Sequence, residues 1–382
     1  MRDFPIAPRP FGYFVHHQGR GHAERCASIV NALPEQREVV IFSARDDILP
    51  PLRPNVTIRK IPSLFERTGA ERLGFDGVET PDTLHCAPLG WPGIREAMAM
   101  ITAWFHDADP ALFICDVSAE IAQLCRICSV PHVKVLQHGD RSDPGHQAAY
   151  AGAIGLLAPF AEELAQTDWP SKFRSKTHFA GGIGLRTDPL PDKVEARKRL
   201  GISADHQVAL VLSGGGGNGW SSAAFGVGAR TYPDWDWISI GRMAEDWHGT
   251  EGANLVHKGW VDTPRAYIAA ADVVISSTGN TTCADVLSVD RPWIVVPEWR
   301  YFDEQVEKAR ALARAGVALH LDHMPGSAHG WKAAMSKAIA GHVPGRQAAL
   351  IDPEAATRAA NWLETRVPEL TGAHPMTEGL PA

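Results

Sequence analysis

DVVISSTGNTTCADVLSVDRPWIVVPEWRYFDEQ, residues 272–305, holds two short apolar runs separated by a turn and a helical stretch. DVVIS and RPWIVVP are rich in β-branched residues and bounded by breakers, which is typical of parallel strands buried on both faces. The turn Ser276-Ser277-Thr278-Gly279 leads from the first run into the helix. A helix that starts there points backbone N–H groups and its positive dipole end outward, so the unit predicts an anion site.

The same strand and helix alternation extends along the rest of the chain. Strand-like runs occur at FGYFVH, REVVIFSA, NVTIRKI, ALFICDV, PHVKVLQHG, AIGLLAP, QVALVLS and WDWISIG, with helical patterns between many of them. Such alternation predicts α/β architecture with doubly wound parallel sheets. Residues 65–92, rich in Gly, Pro and charge, break the pattern and predict an irregular segment on the cleft side, over an acceptor site.

The chain of 382 residues is long enough for two domains of ordinary size. The stretch GIGLRTDPLPDK has linker chemistry because it combines Gly, Pro and charge without apolar periodicity. We therefore predict a first domain over residues 1–183, a linker over 184–192 and a second domain over 193–350. Residues 351–382 are predicted to form a helix and tail that pack back on the first domain.

Composition excludes several classes of protein. Hydrophobic residues make up 45% and charged residues 21%, and no apolar run reaches the eighteen residues of a membrane span. The net charge of −7 argues against a general nucleic-acid partner. The start lacks the apolar core of a signal peptide, so we expect a cytoplasmic protein with reduced thiols. Cys125 and Cys128 fall in a helical pattern, which favours buried thiols over a metal site.

Several motifs occur in an order that resembles a known family. These are Gly21-His22, the run VLSGGGGNG at 211–219, the pattern Gly279-x-x-Thr282-x-x-Asp285, and the pair Glu304-Gln305. Together they resemble the GT-B glycosyltransferases, in particular the peptidoglycan N-acetylglucosaminyltransferase type and the antibiotic and plant glycosyltransferases. The sequence departs from the family by Asp285 in place of the usual Glu and by Lys308 in place of a frequent Asn.

The resemblance implies two Rossmann-like domains that face a cleft, and inverting transfer of a sugar from a UDP or dTDP donor to an acceptor hydroxyl. His22 is the predicted general base, since imidazole can take a proton near neutral pH. Asp116, after the run ALFIC, resembles the acid that orients this base. The alternatives are a His22 that bonds backbone at a helix start and an Asp116 that caps the helix after Ser118.

The donor site draws on both domains. In the Gly-rich run, backbone N–H groups are predicted to cradle the diphosphate. Asp285 is predicted to bind the ribose and Glu304-Gln305 the sugar, whereas Trp260 and Val261 resemble the segment that contacts the base. The alternatives are a capping box from Thr282 to Asp285, a core position for Trp260 and a solvated first turn for Glu304-Gln305. The predicted donor residues are Gly21, Ser213, Gly214, Gly215, Gly216, Gly217, Asn218, Trp260, Val261, Gly279, Asn280, Thr281, Thr282, Asp285, Glu304 and Gln305.

Arg20 and Arg25 are predicted to contact phosphate, and His138 and Asp140 to contact the acceptor. We expect no metal and no cofactor: the D-x-D pattern at Asp234 precedes a strand and reads as a turn, and helix-dipole and loop amides would stabilise the leaving diphosphate. Three other functions stay open. Gly21-His22-x-x-Arg25 also resembles nucleotide-sugar hydrolases of nonulosonic-acid pathways and, less closely, a sugar 2-epimerase, and a nucleotide-sugar-binding protein without turnover is the third possibility.

Overall fold

The structure, a computed structural model, describes residues 8–18, 20–72, 74–75, 77–184, 190–213, 219–244 and 252–367. The first sheet has seven parallel strands in the order β3-β2-β1-β4-β5-β6-β7. Its strands are β1 Phe11–Phe14, β2 Val39–Ser43, β3 Val56–Lys60, β4 Leu112–Asp116, β5 His132–Val135, β6 Gly155–Ala158 and β7 Thr177–Phe179. The helices of this half are α1 Arg20–Ala32, α2 Pro92–Ala108, α3 Ala119–Ile127, α4 Pro144–Gly152 and α5 Ser171–Arg174.

The second sheet has six parallel strands in the order β12-β10-β8-β13-β14-β15. Strands β9 and β11 form a separate parallel pair. The elements of this half are α6 Lys193–Leu200, β8 Gln207–Leu212, β9 Trp220–Ser221, α7 Ser222–Thr231, β10 Trp235–Ile240, β11 Met243–Ala244, β12 Leu255–His257, α8 Pro264–Ala270, β13 Val273–Ser276, α9 Asn280–Val289, β14 Trp293–Val295, α10 Glu304–Arg314, β15 Leu319–His320, α11 Ala328–Gly341 and α12 Ala355–Thr365.

Each sheet is covered by apolar packing on both faces. Along β1, Phe11 and Tyr13 belong to one buried cluster and Phe14 to the cluster on the opposite face. Along β8, Leu210 and Val211 divide in the same way between two clusters. Near-continuous apolar runs are what a strand buried on both faces requires, and the prediction of α/β architecture with two parallel sheets is confirmed.

The end of the described chain returns to the first sheet. Ala355, Ala359 and Leu363 of α12 are buried in the same cluster as Phe11 of β1. Arg37 also donates to the Glu364 carboxylate at 2.7 Å and 3.0 Å. Helix α12 therefore packs on the sheet that is most distant from it in sequence.

One local expectation changes in part. Asp234 lies in a turn, as predicted, but Asp236 lies within β10, where it contacts His206 at 3.1 Å at the amino end of the strand. The carboxyl end of β10 lies at the opposite edge, where α/β sheets bind ligands. Among the described residues, no helix is both long enough and apolar enough to cross a bilayer.

Replacement of Leu363 by Ala tests the contribution of α12 to the first sheet. The side chain is fully buried, so Leu363→Ala should lower the free energy of unfolding by about 2–5 kcal/mol through lost burial and a residual cavity. Asn361→Ala, on the exposed side of the same helix, is the matched control. Equal thermal denaturation of the two variants would contradict this packing role.

Candidate active site

His22 lies in the first turn of α1, directly after the loop that leaves β1. Its ring is 5.5 Å from the ring of His16, and its side chain is 15% exposed. The His22 Nδ1 atom accepts a hydrogen bond of 2.8 Å from Nη2 of Arg25, one turn further along the helix. The backbone alternative for His22 is therefore wrong in this structure, because the ring bonds a side chain.

Asp116 ends β4 and is completely buried. Both of its carboxylate oxygens accept from Arg25 Nη2 at 2.7 Å. Burial alone would raise the pKa of the Asp116 carboxyl, but the Arg25 guanidinium and the adjacent His22 hold it well below its usual range. Asp116 is therefore charged at neutral pH inside an ion pair.

The contact with Arg25 determines which ring nitrogen of His22 carries the hydrogen. A guanidinium can only donate, so Nδ1 of His22 presents its lone pair to Arg25 and the neutral ring carries its hydrogen on Nε2. The distance from His22 Nδ1 to Asp116 Oδ2 is 3.4 Å, which is longer than a good hydrogen bond. The predicted pair of His22 and Asp116 is thus brought together, with Arg25 bonded to both members.

This geometry corrects the role predicted for Arg25. Its side chain is buried and its Nη2 atom is shared by Asp116 and His22, so it does not present that atom to a phosphate. Arg20, at the start of α1, is exposed and retains that possibility.

The turn after Asp116 is conformationally strained. Val117 has a φ of 70°, which is rare for a β-branched residue, and its carbonyl accepts a 2.5 Å hydrogen bond from the buried Lys134 Nζ. Burial lowers the pKa of Lys134 to about 8. Ser118 caps α3 by accepting from Ile121 N, so the capping alternative for Asp116 is wrong. Strain of this kind persists only where the surrounding structure imposes it.

Two further histidines line this edge of the sheet. Burial and the neighbouring His22 and His17 lower the pKa of His16 to about 3, and its Nδ1 accepts from Gln18 N. His17 donates from Nε2 to the Glu66 carboxylate at 2.9 Å. Among the described residues, no group of three His, Cys, Asp or Glu side chains is arranged to bind a metal ion.

The donor side is formed where β8 and β13 end. Ser213 and Ser277 follow these strands, and both hydroxyls are buried without a hydrogen-bond partner among the described residues. The predicted phosphate cradle Gly214 to Asn218 lies outside the described residues. Gly279 is the N-cap of α9 and supplies no side-chain cap, so the first amides of α9 are not closed by a side chain at this position. Asn280, Thr281 and Thr282 form the first turn that follows.

The two sheets approach each other at this point. A Cβ atom placed on Gly21 would lie 3.3 Å from Oγ1 of Thr281. The amino ends of α1 and α9, from different sheets, therefore face one another across a narrow gap. Two positive dipole ends at one place are favourable for a bound anion.

Asp285 lies one turn further into α9 and is 5% exposed. Because the helix begins at Asn280 with Gly279 as its N-cap, Thr282 is inside the helix and the predicted capping-box alternative is wrong. Nε of Arg265 lies 3.7 Å from an Asp285 carboxylate oxygen.

Glu304 and Gln305 start α10, as the sequence indicates. The Gln305 Oε1 atom accepts from Thr278 N at 3.2 Å and from Glu298 N at 2.9 Å, so it ties the loops after β13 and β14 together. The solvated alternative is wrong for Gln305, because the residue is buried. Glu304 lies between two cations, 3.8 Å from Lys308 Nζ and 3.9 Å from Arg141 Nη2.

The unusual Lys308 is explained by its contacts. It is buried, and its ammonium group donates to the Asn280 side chain at the start of α9. Lys308 therefore connects Asn280 with Glu304, two residues that the sequence assigns to the donor. Trp260 is 70% exposed, so the alternative of a core position for it is wrong; Val261 is partly buried beside it.

His138 is placed differently from the prediction. Its ring is buried, and Nε2 donates to the Leu164 carbonyl at 2.8 Å. Burial, aided by the charge of Lys308, lowers the pKa of His138 to about 3, so the ring is neutral. A residue enclosed in this way does not bind an acceptor. Asp140 is exposed, and its backbone N–H donates to the Phe302 carbonyl at 2.7 Å.

Comparison with known proteins agrees with this geometry. Residues 244–328 match the Glycosyltransferase family 28 C-terminal domain. Among solved structures, the chain is similar to the glycotransferase of kitacinnamycin, with a TM-score of 0.66 and 16% identity over 95% of this chain and 100% of that one. The chain therefore has the GT-B fold of these glycosyltransferases.

Two other GT-B structures are similar to it. Phytolacca americana UGT2, solved with UDP-2fluoro-glucose and pterostilbene, has a TM-score of 0.65 and 12% identity over 95% of this chain and 100% of that one. The calicheamicin glycosyltransferase CalG4 has a TM-score of 0.63 and 14% identity over 96% of this chain and 100% of that one. A comparison with curated protein sequences gives no match.

Sequence reasoning did not assign a role to Arg141, Lys134 or Phe302 of this GT-B protein. Lys134 is in a buried strand and Arg141 in the loop before α4, so neither carries a motif. Phe302 adjoins Glu304-Gln305, which is the one signal that pointed to its neighbourhood.

Replacement of Asp116, alone or together with Arg25, tests the buried ion pair. Asp116→Asn should lower the free energy of unfolding by about 3–5 kcal/mol because it leaves the Arg25 charge buried without its partner. The double variant Asp116→Leu/Arg25→Met, which removes both charges, should be more stable than Asp116→Asn. A double variant that is less stable than the single one would contradict an uncompensated charge as the cause.

The difference in unfolding free energy between wild type and Asp116→Asn should change with pH in a definite direction. A carboxyl whose folded pKa is depressed stabilises the fold above its ordinary pKa of about 3.9, and this contribution is lost as the pH falls below that value. The gap in unfolding free energy between wild type and Asp116→Asn should therefore narrow between about pH 5 and pH 2. Urea denaturation across this range measures it, and a constant gap would contradict the ion pair.

Proposed function

We propose that the protein is an inverting glycosyltransferase that moves a sugar from a UDP or dTDP donor to an acceptor hydroxyl without a bound metal. The observation that carries this proposal is the position of His22. It stands at the amino end of α1, opposite the amino end of α9, with a buried carboxylate behind it. A base beside an anion site can take the acceptor proton close to the point where the diphosphate would leave, which supports transfer from a nucleotide-sugar.

In the proposed reaction, His22 removes the proton of the acceptor hydroxyl through Nε2. The oxygen then forms a bond to the anomeric carbon while the bond from that carbon to the diphosphate oxygen breaks on the opposite face, which inverts the configuration. For this step Nε2 must have a free lone pair, so the hydrogen of the neutral ring must first pass from Nε2 to Nδ1. The hydrogen bond from Arg25 to Nδ1 must then be released, and Nδ1 donates to Asp116 instead. Asp116 then stabilises the imidazolium that forms.

The diphosphate is proposed to leave toward the amino end of α9. Backbone amides of Asn280 and Thr281, the hydroxyls of Ser213 and Ser277, and the Gly214 to Asn218 loop would take up the developing charge. The exposed Arg20 would add a cation at the edge. Preorganised dipoles of this kind replace the role that Mg²⁺ has in other transferases.

The nucleoside and sugar are assigned along the second domain. Asp285 would accept from the ribose hydroxyls, the segment at Trp260 and Val261 would contact the base, and Glu304 with the amide nitrogen of Gln305 would bind sugar hydroxyls. The binding of UDP-2fluoro-glucose by Phytolacca americana UGT2 supports a UDP donor.

The acceptor is proposed to bind on the first domain, 1–183. A cavity of about 500 Å³ lies where β2 and β3 end, and Glu66, the partner of His17, is part of its wall. Its lining combines charged and apolar side chains: Arg45, Lys60, Glu96, Ile61, Pro62 and Met100. Carboxyl ends of parallel strands are the expected place for such a ligand.

Replacement of His22 tests the base. His22→Ala should lower turnover by about 10²–10⁴-fold, the usual contribution of a general base, with donor binding retained. His206→Ala is the matched control, since His206 lies at the amino end of the second sheet and contacts Asp236. Product formation is measured with UDP- and dTDP-sugars and an acceptor panel. Unchanged turnover in His22→Ala would remove the residue from this role.

The same assay without acceptor separates the alternatives. Free sugar released at the full rate without acceptor would identify a hydrolase, isomerised donor would identify an epimerase, and UDP binding with no turnover under any condition would identify a binding protein. Transfer that depends on acceptor is the outcome expected from the proposal.

Removal of the Asp285 carboxylate tests the ribose contact. Asp285→Asn should weaken UDP binding by about 10–100-fold because a charged hydrogen bond is worth about 1.5–3 kcal/mol. Binding of 2′-deoxy-UDP should weaken less, since one hydroxyl is already absent. Calorimetric titration measures both nucleotides, and Asp205→Asn, exposed before β8, is the control. A wild-type protein that binds both nucleotides alike would contradict the assignment.

A further inference from the structure

Phe302 of the second domain inserts its ring into the first domain. The residue lies in a single turn of 3-10 helix, Tyr301–Asp303, directly before α10. The Arg141 guanidinium stacks over the ring at 4.2 Å, and the rings of His85 and His146 meet it edge-on at 4.7 Å and 5.1 Å. We call these three side chains the Phe302 socket.

The backbone is bound at the same point. The Phe302 carbonyl accepts from Asp140 N at 2.7 Å. Gly139 has a φ of 120°, and a Cβ atom at this position would lie 2.5 Å from the Phe302 carbonyl oxygen. Only glycine permits so close an approach, so the first-domain loop is shaped to fit this carbonyl.

The conformation of Phe302 has a cost that its contacts must offset. Phe302 has φ 61° and ψ 23°, and Asp303 has φ 53° and ψ 28°. Two consecutive residues other than glycine in the left-handed region are unfavourable, particularly when one is bulky. The turn is therefore held in place by the contacts of its ring and carbonyl with the first domain.

The socket adjoins both sides of the proposed site. Arg141 also lies 3.9 Å from the carboxylate of Glu304, two residues after Phe302. His85 belongs to the irregular 65–92 segment, and the Glu120 carboxylate accepts from the backbone of His85 and Cys86 at 2.7 Å and 2.6 Å. The Phe302 ring thus contacts His85 in a segment that Glu120 anchors to the first domain. Glu304, two residues further along the chain, faces the donor side.

We propose that Phe302 is a positioning residue that aligns Glu304 with the first domain and so places the donor sugar against the acceptor. This inference rests on the proposed function, since Glu304 must contact the sugar for the alignment to affect transfer. Without the ring, the donor would still bind, but the sugar would be misplaced and the gap more open to water. The share of donor lost to hydrolysis would then rise relative to transfer.

Phe302→Asn is the sharpest test, because Asn tolerates the left-handed conformation but removes the ring. Transfer should fall by about 10–100-fold, since a small misplacement of reacting groups is enough for such a loss. The ratio of transfer to hydrolysis should fall as well, and affinity for UDP should stay within about twofold of wild type. Phe302→Leu, which keeps apolar bulk in the socket, should recover part of the transfer rate.

Tyr301→Ala is the control, since the adjacent side chain is 73% exposed and contacts Trp299. It should retain the wild-type ratio of transfer to hydrolysis. A raised donor KM in Phe302→Asn, with an unchanged kcat and an unchanged ratio, would overturn the positioning role.

A second readout does not depend on activity. Small-angle scattering of the nucleotide-free protein should give a larger radius of gyration for Phe302→Asn than for wild type or Tyr301→Ala. If wild type turns over no nucleotide-sugar, the proposed function fails while scattering still decides whether Phe302 joins the domains. Identical scattering of all three proteins would overturn the inference. Phe302→Gly, which also tolerates the left-handed conformation and removes the ring, replaces Phe302→Asn in this comparison if the latter does not fold.

Discussion

The carboxylate of Asp116 is buried at the end of β4, and a charge in that position is tolerated only if another group compensates it. Arg25 supplies the compensation from α1 and bonds both oxygens. Because His22 lies one turn before Arg25 on the same helix, this ion pair also fixes where the His22 ring stands. The first turn of α1, the end of β4 and the strained turn at Val117 thus depend on a single electrostatic requirement.

The half of the chain that contains the second sheet faces this arrangement with the amino end of a helix and with charged groups close to it. Its strands β8 and β13 end beside the amino end of α9, which approaches Gly21 of α1. Parallel strands make this possible because all their carboxyl ends lie on one edge, so two such edges can face one another. The charged groups near α9, Lys308 and Glu304, come from α10 and link the first turns of the two helices.

Several contacts between the two domains lie around α10. Phe302 enters the first domain just before this helix, and near its end Arg314 donates to the Ala165 carbonyl at 2.6 Å. His138 is buried close by, and its ring donates to the Leu164 carbonyl. It therefore contributes to packing. The residues that join the domains are therefore neighbours of the residues proposed to bind sugar. A shift of the joining residues would move the sugar-binding residues as well.

Much of the fold could be predicted from the sequence, because short-range patterns determine it. Apolar runs such as LFIC and VVIS indicate strands buried on both faces, and the alternation with helical stretches indicates parallel sheets. The positions of His22, Asp116 and Asp285 relative to strand and helix ends followed from the same local patterns. For these residues, chain direction and strand order alone decide which edge they occupy.

The partners of these residues were decided by tertiary structure. Arg25 and Asp116 are 91 residues apart, and nothing in either local sequence indicates that one guanidinium nitrogen bonds both a carboxylate and an imidazole. The burial of His138 and the insertion of Phe302 likewise depend on surfaces from distant segments that meet after folding. The sequence by itself determined the sheets and the edge on which the site lies. Only the tertiary structure decided which nitrogen of His22 carries the proton, because Arg25 and Asp116 meet through packing of α1 on β4, and which residues hold Glu304 in place, because Arg141 reaches it from the other half of the chain.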